Sequence, residues 1–171
     1  MNPILSFTLK ASIWAFSISA LSAHSAQTCK DYIPDTTPNN RYTVDESKGT
    51  VLDAQTGLMW QQCSLGQTGA SCSGTASQLN WQGALQAGPA SSSGNFNDWR
   101  LPNQKELLSL VAYDCYNPSI NQSIFPNTQT PRYWSSSPSA NTSDYAWSVD
   151  FNKGYVNNRS RDISNYVRLV R

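Results

Sequence analysis

The last quarter of the chain alternates between hydrophobic and polar positions. Four large apolar side chains recur at every second residue, which is the period of a β-strand with one face in the core. They are Tyr145, Trp147, Val149 and Phe151. A tight turn is predicted at NKG, ending at Gly154, before YVNNRS, and a closing strand in YVRLVR places Val167 and Leu169 on one face.

A second hairpin is predicted earlier in the chain. The apolar stretches Thr50–Leu52 and Leu58–Gln62 flank DAQTG. Asp53 can accept hydrogen bonds from the following backbone, and Gly57 can take a positive φ, so the segment favours a reversal.

Two helices are predicted between these strands. In SQLNWQGALQAG, the residues Trp81, Ala84 and Leu85 have helical spacing and Gly88 can end the helix.

The stronger helix pattern lies in DWRLPNQKELLSLVAYDC. Asn103 is a suitable N-cap, with Glu106 at capping-box spacing. The apolar residues that follow predict burial over more than half of the helix circumference; they are Leu107, Leu108, Leu110, Val111 and Ala112. Together the elements predict an α+β domain with long loops.

The first 26 residues have the composition of a signal peptide. An apolar run, Ala11–Leu21, follows Lys10, and the small residues 22–26 come next. We therefore expect an exported chain that is periplasmic, extracellular or on the cell surface. Residues 27–49 are expected to be an extended lead-in and residues 50–171 a single domain, with no integral membrane segment after cleavage.

Four cysteines follow the predicted signal peptide. An even number in an exported chain indicates two disulfides, and three pairings are possible. We favour Cys63–Cys72, which closes a short Gly/Ser loop, and Cys29–Cys115, which ties the lead-in to the domain. A four-cysteine zinc site is the alternative, but the chain contains no Cys-x-x-Cys.

Residues 27–171 contain no histidine, since His24 is the only one. This excludes Ser-His-Asp and Cys-His catalysis and histidine-containing metal sites. No distinctive pair of facing carboxylates is apparent, so we expect neither an enzyme nor a bound cofactor. The segment NFND, with Asn95, Asn97 and Asp98, is the one dense candidate for calcium, but Asp98 is better explained as bracing the turn before the helix.

The charges are unevenly distributed along the chain. Residues 27–150 carry six basic and ten acidic side chains, a net charge of −4, whereas residues 151–171 carry five basic and one acidic, a net charge of +4. A basic tail suits anionic ligands, because arginine binds sulfate and carboxylate groups in a bidentate manner. An ordinary solvated edge, with Arg168 paired to an acid elsewhere, is the alternative. Nucleic-acid binding is not expected, since no basic field covers the whole domain.

Several motifs in this order resemble a known bacterial family. They are TGLMWQ, NDWRLPNQKELLSLV, NPSIN, IFPNT, YWSSS, YAWSVDFNKGYV and YVRLVR. They are similar to the C-terminal domain of the Legionella collagen-like protein family, from about Thr50 to Arg171. The resemblance implies a C-type-lectin-like fold and an adhesive role that includes binding to sulfated polysaccharides. No collagen-like repeat precedes the domain here.

The tail has a second resemblance. The stretch SANTSDYAWSVDFNKGYVNNRSRDISNYVRLVR looks like the variable segment of proteins diversified by retroelements, which is rich in Asn, Ser, Asp, Tyr and Arg. That resemblance implies a protein ligand on another cell, whereas the first implies a glycan on a cell or matrix surface.

The exposed ligand-binding surface is expected on the closing strands, where Tyr and Asn make adaptable contacts. Its predicted residues are Lys153, Tyr155, Asn157, Asn158, Arg159, Arg161, Asn165 and Tyr166. The tryptophans could stack on sugars, but we expect them to fill the core. They are Trp60, Trp81, Trp99, Trp134 and Trp147.

Overall fold

The computed structural model describes residues 27–171, so the predicted signal peptide lies outside the described residues. These described residues contain ten strands: β1 Thr28–Cys29, β2 Tyr42–Asp45, β3 Thr50–Asp53, β4 Met59–Gln61, β5 Gln78–Leu79, β6 Cys115–Tyr116, β7 Arg132–Pro138, β8 Tyr145–Asp150, β9 Tyr155–Ser160 and β10 Asn165–Tyr166. The helices are α1 Trp81–Ala87 and α2 Gln104–Leu108, with 3₁₀ turns at Asn39–Arg41 and Ser93–Asn95. The α+β class is confirmed.

The strands form three sheets. The largest has the order β5-β10-β7-β8-β9, the second has the order β2-β3-β4, and β1 pairs with β6. All pairs are antiparallel except β10 with β7. Strand β9 is thus one edge of the largest sheet among residues 27–171, and β5 is the other.

The hairpin predicted around DAQTG is confirmed. Gly57 has a φ of 72° and donates its backbone N–H to the carbonyl of Asp53 at 2.8 Å, which closes the turn between β3 and β4. Strand β3 also pairs with β2, whose residue Val44 packs against the core. The expected extended lead-in therefore contains a strand of the second sheet, which the short apolar pattern of residues 42–45 did not reveal.

Helix α2 has the predicted start but a shorter length than its apolar pattern suggests. The Asn103 side chain accepts from the Glu106 N–H, and the Glu106 carboxylate accepts from the Asn103 N–H, so the capping box is confirmed. The helix ends at Leu108, and the chain continues as a turn in which Leu110 and Val111 are still fully buried. Wide burial, rather than a long helix, explains the run of apolar residues.

Both faces of the largest sheet are covered. Neighbouring residues of β7 point to opposite sides: Tyr133 packs in a cluster with Leu107 of α2, and Trp134 packs in another with Ala84 of α1. Trp60, Trp99 and Trp134 are core residues as predicted, being at most 2% exposed.

The prediction that the β8 alternation lies wholly in the core is partly wrong. Val149 and Phe151 are fully buried, but Trp147 is half-buried and Tyr145 is 36% exposed. Trp81 is also half-buried rather than core. The core cluster that contains Leu107 of α2 includes Val149 and Phe151 but not Tyr145 or Trp147, which lie nearer the start of β8. Alternation along a strand does not show where such a cluster ends.

The two ends of the domain lie side by side. The Met59 N–H donates to the Arg171 carbonyl at 3.0 Å, and the Gln61 N–H donates to that of Leu169 at 3.0 Å. The structure contains both favoured disulfides, Cys29–Cys115 between β1 and β6, and Cys63–Cys72 within one loop. No helix among residues 27–171 is long and apolar enough to cross a membrane.

Candidate binding surface

The candidate surface in the tail is a strip along β9, in which Tyr155 is exposed and the other side chains are half-buried. Gly154, with a φ of 74°, reverses the chain after β8 and starts the strand. Side chains alternate along a strand, so Tyr155, Asn157 and Arg159 point to one face, and Arg161 continues the row. From Tyr155 to Arg161 the row is roughly 20 Å long, at about 3.3 Å per residue. We call these four residues the β9 strip.

The other predicted binding residues are distributed differently. Lys153 is exposed in the turn that precedes the strip. Asn158 points to the opposite face, where it pairs with Trp147.

The remaining two residues lie in β10, which β7 and β8 separate from β9. Asn165 is 6% exposed, so its predicted outward position is wrong. Tyr166 is half-buried, with its ring centre 5.5 Å from that of Tyr133. Both side chains are enclosed because β10 is an inner strand of the sheet.

Two of the five basic tail residues are not available as a surface charge. Arg168 is fully buried and donates to the carbonyls of Gln61 and Gln62 and to the Thr128 hydroxyl. The predicted alternative of an acidic partner for Arg168 is therefore also wrong. Arg171 lies over the Phe96 ring at 3.9 Å from its centre and forms an ion pair with Asp98 at 2.7 Å.

The basic residues without an ionic partner concentrate near the strip. Of eleven basic side chains in residues 27–171, five form ion pairs and Arg168 is buried against carbonyls. The five that remain in the described chain are Lys30, Lys105, Lys153, Arg159 and Arg161. Three of these five lie on the strip or in the turn before it. The Asp144 carbonyl accepts from the Arg161 N–H, and Asp162 follows Arg161 in the sequence. Counting these two acids against the three unpaired cations gives a local net charge of only +1.

Arg161 is held by an aromatic residue. Its guanidinium carbon lies 4.2 Å from the centre of the Trp81 ring, and its Nε donates to the Tyr145 carbonyl at 3.2 Å. Trp81 is itself fixed, since its indole N–H donates to the Ser135 carbonyl at 2.8 Å. Stacking of this kind orients the planar guanidinium. Its terminal nitrogens have no acceptor among residues 27–171 and can bind an anion.

Two donors in the middle of the strip, the Nε of Arg159 and the Nδ2 of Asn157, have no hydrogen-bond partner in the described part of the chain, but both atoms are enclosed by protein and do not face solvent. The Asn157 carbonyl accepts from the Ser148 hydroxyl at 3.0 Å, which fixes the strand next to β8.

Sequence reasoning missed the role of Trp81. It begins α1, far from the tail in sequence, and its helical spacing indicated only a core position. The contact with Arg161 follows from the sheet order, because β5, immediately before α1, pairs with β10, which immediately follows the Arg161 turn. Nothing in the local pattern of either segment contains this information.

The calcium candidate is occupied by protein contacts. Both oxygens of Asp98 accept from Arg171, at 2.7 and 3.1 Å, and these hydrogen bonds lower the pKa of Asp98. The Arg171 guanidinium therefore occupies the position in which a metal ion would bind the Asp98 carboxylate. One group of three potential metal ligands occurs among residues 27–171, namely Cys29, Asp114 and Cys115, and its two thiols form a disulfide.

Comparison with known proteins gives one clear result. No curated protein matches the chain at a significant level. The family model described as the Lcl C-terminal domain matches residues 49–171, which includes β3 to β10, both helices and the whole β9 strip. The match covers well over half of the chain, and therefore the chain belongs to the Lcl C-terminal domain family.

Proposed function

We propose that this protein is an exported, non-catalytic binding module whose β9 strip recognises a sulfated or otherwise polyanionic glycan. The observation that carries the proposal is the concentration of unpaired cations, since three of the five such side chains in residues 27–171 are Lys153, Arg159 and Arg161. A straight row of about 20 Å suits an extended polymer better than a compact ligand.

The chemistry of the strip supports an anionic partner. Arg161 is oriented by Trp81, and its terminal guanidinium nitrogens have no acceptor in the described chain. Sulfate groups offer several acceptor oxygens in the geometry that guanidinium groups bind best. Because the net local charge is only +1, binding should rely on these contacts and on multivalency along the polymer.

Export and the absence of catalysis are parts of the same proposal. Two disulfides favour an oxidising compartment. Four carboxylates of the domain are engaged in ion pairs with arginines rather than facing a cleft; they are Asp53, Asp98, Glu106 and Asp150.

We further propose that the fold is C-type-lectin-like. Two short helices cover opposite faces of one sheet, and the beginning and end of the family domain pair through Met59 and Arg171. An experimental structure compared with lectin-like domains tests this part, and a different strand order in those domains would contradict it.

Binding of the full-length protein, produced under oxidising conditions, to immobilised heparin tests the ligand class, with unsulfated dextran as the negative surface. The double variant Arg159→Ala and Arg161→Ala should lose most of the binding. Lys30→Ala with Lys105→Ala is the matched control, because it removes the same charge from unpaired residues elsewhere and should bind as the parent does. Binding should also weaken as salt is raised and persist with a calcium chelator. Equal losses in the two double variants, or no binding to heparin, would contradict the proposal.

A protein ligand is the second candidate, with diversification by a retroelement. Two observations favour it: β9 is an edge strand of the sheet, and the Tyr155 side chain is 43% exposed. Exposed edge strands also bind extended peptides. A reverse-transcriptase gene beside an adenine-rich near-copy of the 3′ end of the coding sequence would support this alternative. A blank result on sulfated glycans together with such a gene pair would replace the first proposal.

A further inference from the structure

A cleft of about 310 Å³ lies at the second sheet, beside the turn between β2 and β3 and beside Gln61 of β4. It is bordered by the turn between β2 and β3, by the loop of the Cys63–Cys72 disulfide, and by the 3₁₀ turn at Ser93–Asn95. The disulfide loop continues into β5, which is the sheet edge opposite β9. The cleft therefore has no residue in common with the strip.

Two walls of the cleft are hydrogen-bonded to Gln61, at the end of β4, and to Gln62, which follows it. The Gln61 side chain donates to the hydroxyls of Ser91 at 3.0 Å and Ser93 at 2.9 Å, which fixes the 3₁₀ wall. The Gln62 N–H donates to the Gly49 carbonyl at 2.9 Å, which fixes the turn. The third wall is closed by the Cys63–Cys72 disulfide. A cleft held in this way needs little ordering when a ligand binds.

The lining combines polar and apolar surface and has no excess of positive charge. It consists mainly of amide, hydroxyl and backbone groups, and no aromatic ring or arginine is among its residues. Its charged residues are Glu46 and Lys48, and Lys48 is paired with Asp45 at 3.1 Å. Glu46, Lys48 and Asp45 together give the cleft a local net charge of −1, so a sulfated or phosphorylated ligand is disfavoured here.

Gln67, one of the lining residues, has a buried acceptor without a partner in the described chain. It is 6% exposed, and its Nε2 donates to the Asn127 carbonyl at 3.2 Å, while its Oε1 has no partner among residues 27–171. Four lining glycines also have positive φ, namely Gly49, Gly66, Gly69 and Gly94. An added Cβ would meet nothing within 4 Å at Gly49 and Gly69, so these two present bare backbone. Amide, hydroxyl and backbone groups without net positive charge are complementary to the hydroxyl groups of a neutral sugar.

We propose that this cleft is a second ligand site that binds one neutral sugar unit, with Glu46, Gln67 and Thr68 among its contacts. Its volume lies at the lower end of the range for small-molecule sites, which suits a single unit rather than a long chain. The site is independent of the polyanion surface in position and in charge. The unit is either a free sugar or the terminal residue of a glycan.

Isotope-edited NMR of the full-length protein tests the site. The probes are glucose, galactose, mannose and N-acetylglucosamine at millimolar concentrations, each also as its methyl glycoside, which represents a terminal unit. Saturable shifts of the Gln61 and Gln67 side-chain amides and of residues 46–49 and 63–69 are expected with at least one probe. They should be unaffected by salt and by Arg159→Ala with Arg161→Ala.

Thr68→Trp places a bulky side chain at the exposed mouth of the cleft and should abolish these shifts. Thr43→Trp is the matched control, since Thr43 is also exposed but does not line the cleft, and it should bind as the parent does. If Thr68→Trp does not fold, Ser47→Trp at the opposite wall serves the same purpose. The proposal is overturned if no probe gives saturable shifts, if the shifts lie elsewhere, or if they persist in the folded blocking variant.

Discussion

The guanidinium carbon of Arg168 lies 4.8 Å from the centre of the Phe125 ring, inside the hydrophobic core. Arg168 is fully buried, and no carboxylate among residues 27–171 pairs with it. Its charge is instead compensated by carbonyl oxygens, the Thr128 hydroxyl and two aromatic rings. Burial lowers the pKa of this side chain. Arg168 thus joins the end of β4 to the closing segment of the chain.

Replacing Arg168 with methionine should destabilise the domain by about 3 kcal/mol, because buried acceptors lose their donors. Chemical denaturation measures the loss. Arg159→Met is the matched control, since it makes the same change on the β9 strip, and should alter the free energy of unfolding by no more than about 0.5 kcal/mol. Equal effects of the two variants would show that the internal hydrogen bonds of Arg168 contribute nothing.

The ion pair between Arg41 and Asp53 should make stability depend on pH. Burial by itself raises the pKa of Asp53, but hydrogen bonds from Arg41 and Thr56 outweigh it, so the pKa lies below its usual value. A lowered pKa in the folded state stabilises the protein above the unfolded pKa of about 3.9, and this contribution disappears as the pH falls through the folded value.

Asp53→Asn should therefore cost about 3 kcal/mol near neutral pH, because it leaves Arg41 without its partner. The difference from the parent should shrink as the pH falls below about 4. Urea denaturation over a pH series measures this, with the exposed residue Asp162→Asn as control. Parallel stability curves for parent and Asp53→Asn would contradict the assignment of the shift to Asp53.

Two turn glycines should respond differently to the same substitution. Gly57 and Gly154 have similar φ values, 72° and 74°, but an added Cβ at Gly57 meets nothing within 4 Å, whereas at Gly154 it lies 2.7 Å from the Val111 Cγ1. Gly57→Ala should cost about 1 kcal/mol for the left-handed backbone. Gly154→Ala should cost about 1–3 kcal/mol more, because Val111 is fixed in the core. Thermal unfolding measures the loss of stability in each variant. Equal losses would mean that Val111 can move away from the added Cβ at Gly154.

The two disulfides should also differ in their contribution. Cys29–Cys115 spans 86 residues and Cys63–Cys72 spans 9. Loop-closure entropy predicts losses of about 4–5 kcal/mol for Cys29→Ser with Cys115→Ser, and about 3 kcal/mol for Cys63→Ser with Cys72→Ser. Denaturation of the two double variants gives the order. A reversed order would indicate that the segment before β2 contributes little to the fold.

Features that depend on neighbours in sequence could be predicted from the sequence alone. The capping box of Asn103 and Glu106 and the turns at Gly57 and Gly154 depend on a few consecutive residues, and all three are present. The α+β class and three of the five core tryptophans also followed from pattern and composition. The family was visible in motifs that recur in a fixed order, and the family model confirms it.

The make-up of the candidate binding surface was decided by the tertiary structure. Arg159 and Arg168 look equivalent in the sequence, yet one lies on the edge strand and the other inside the core. The difference arises because β10 and the residues after it are enclosed by neighbouring strands, whereas β9 has a neighbour on one side only among residues 27–171. Periodicity determines which residues share a face of a strand. The sheet order, set by long-range packing, determines whether that face meets protein or solvent.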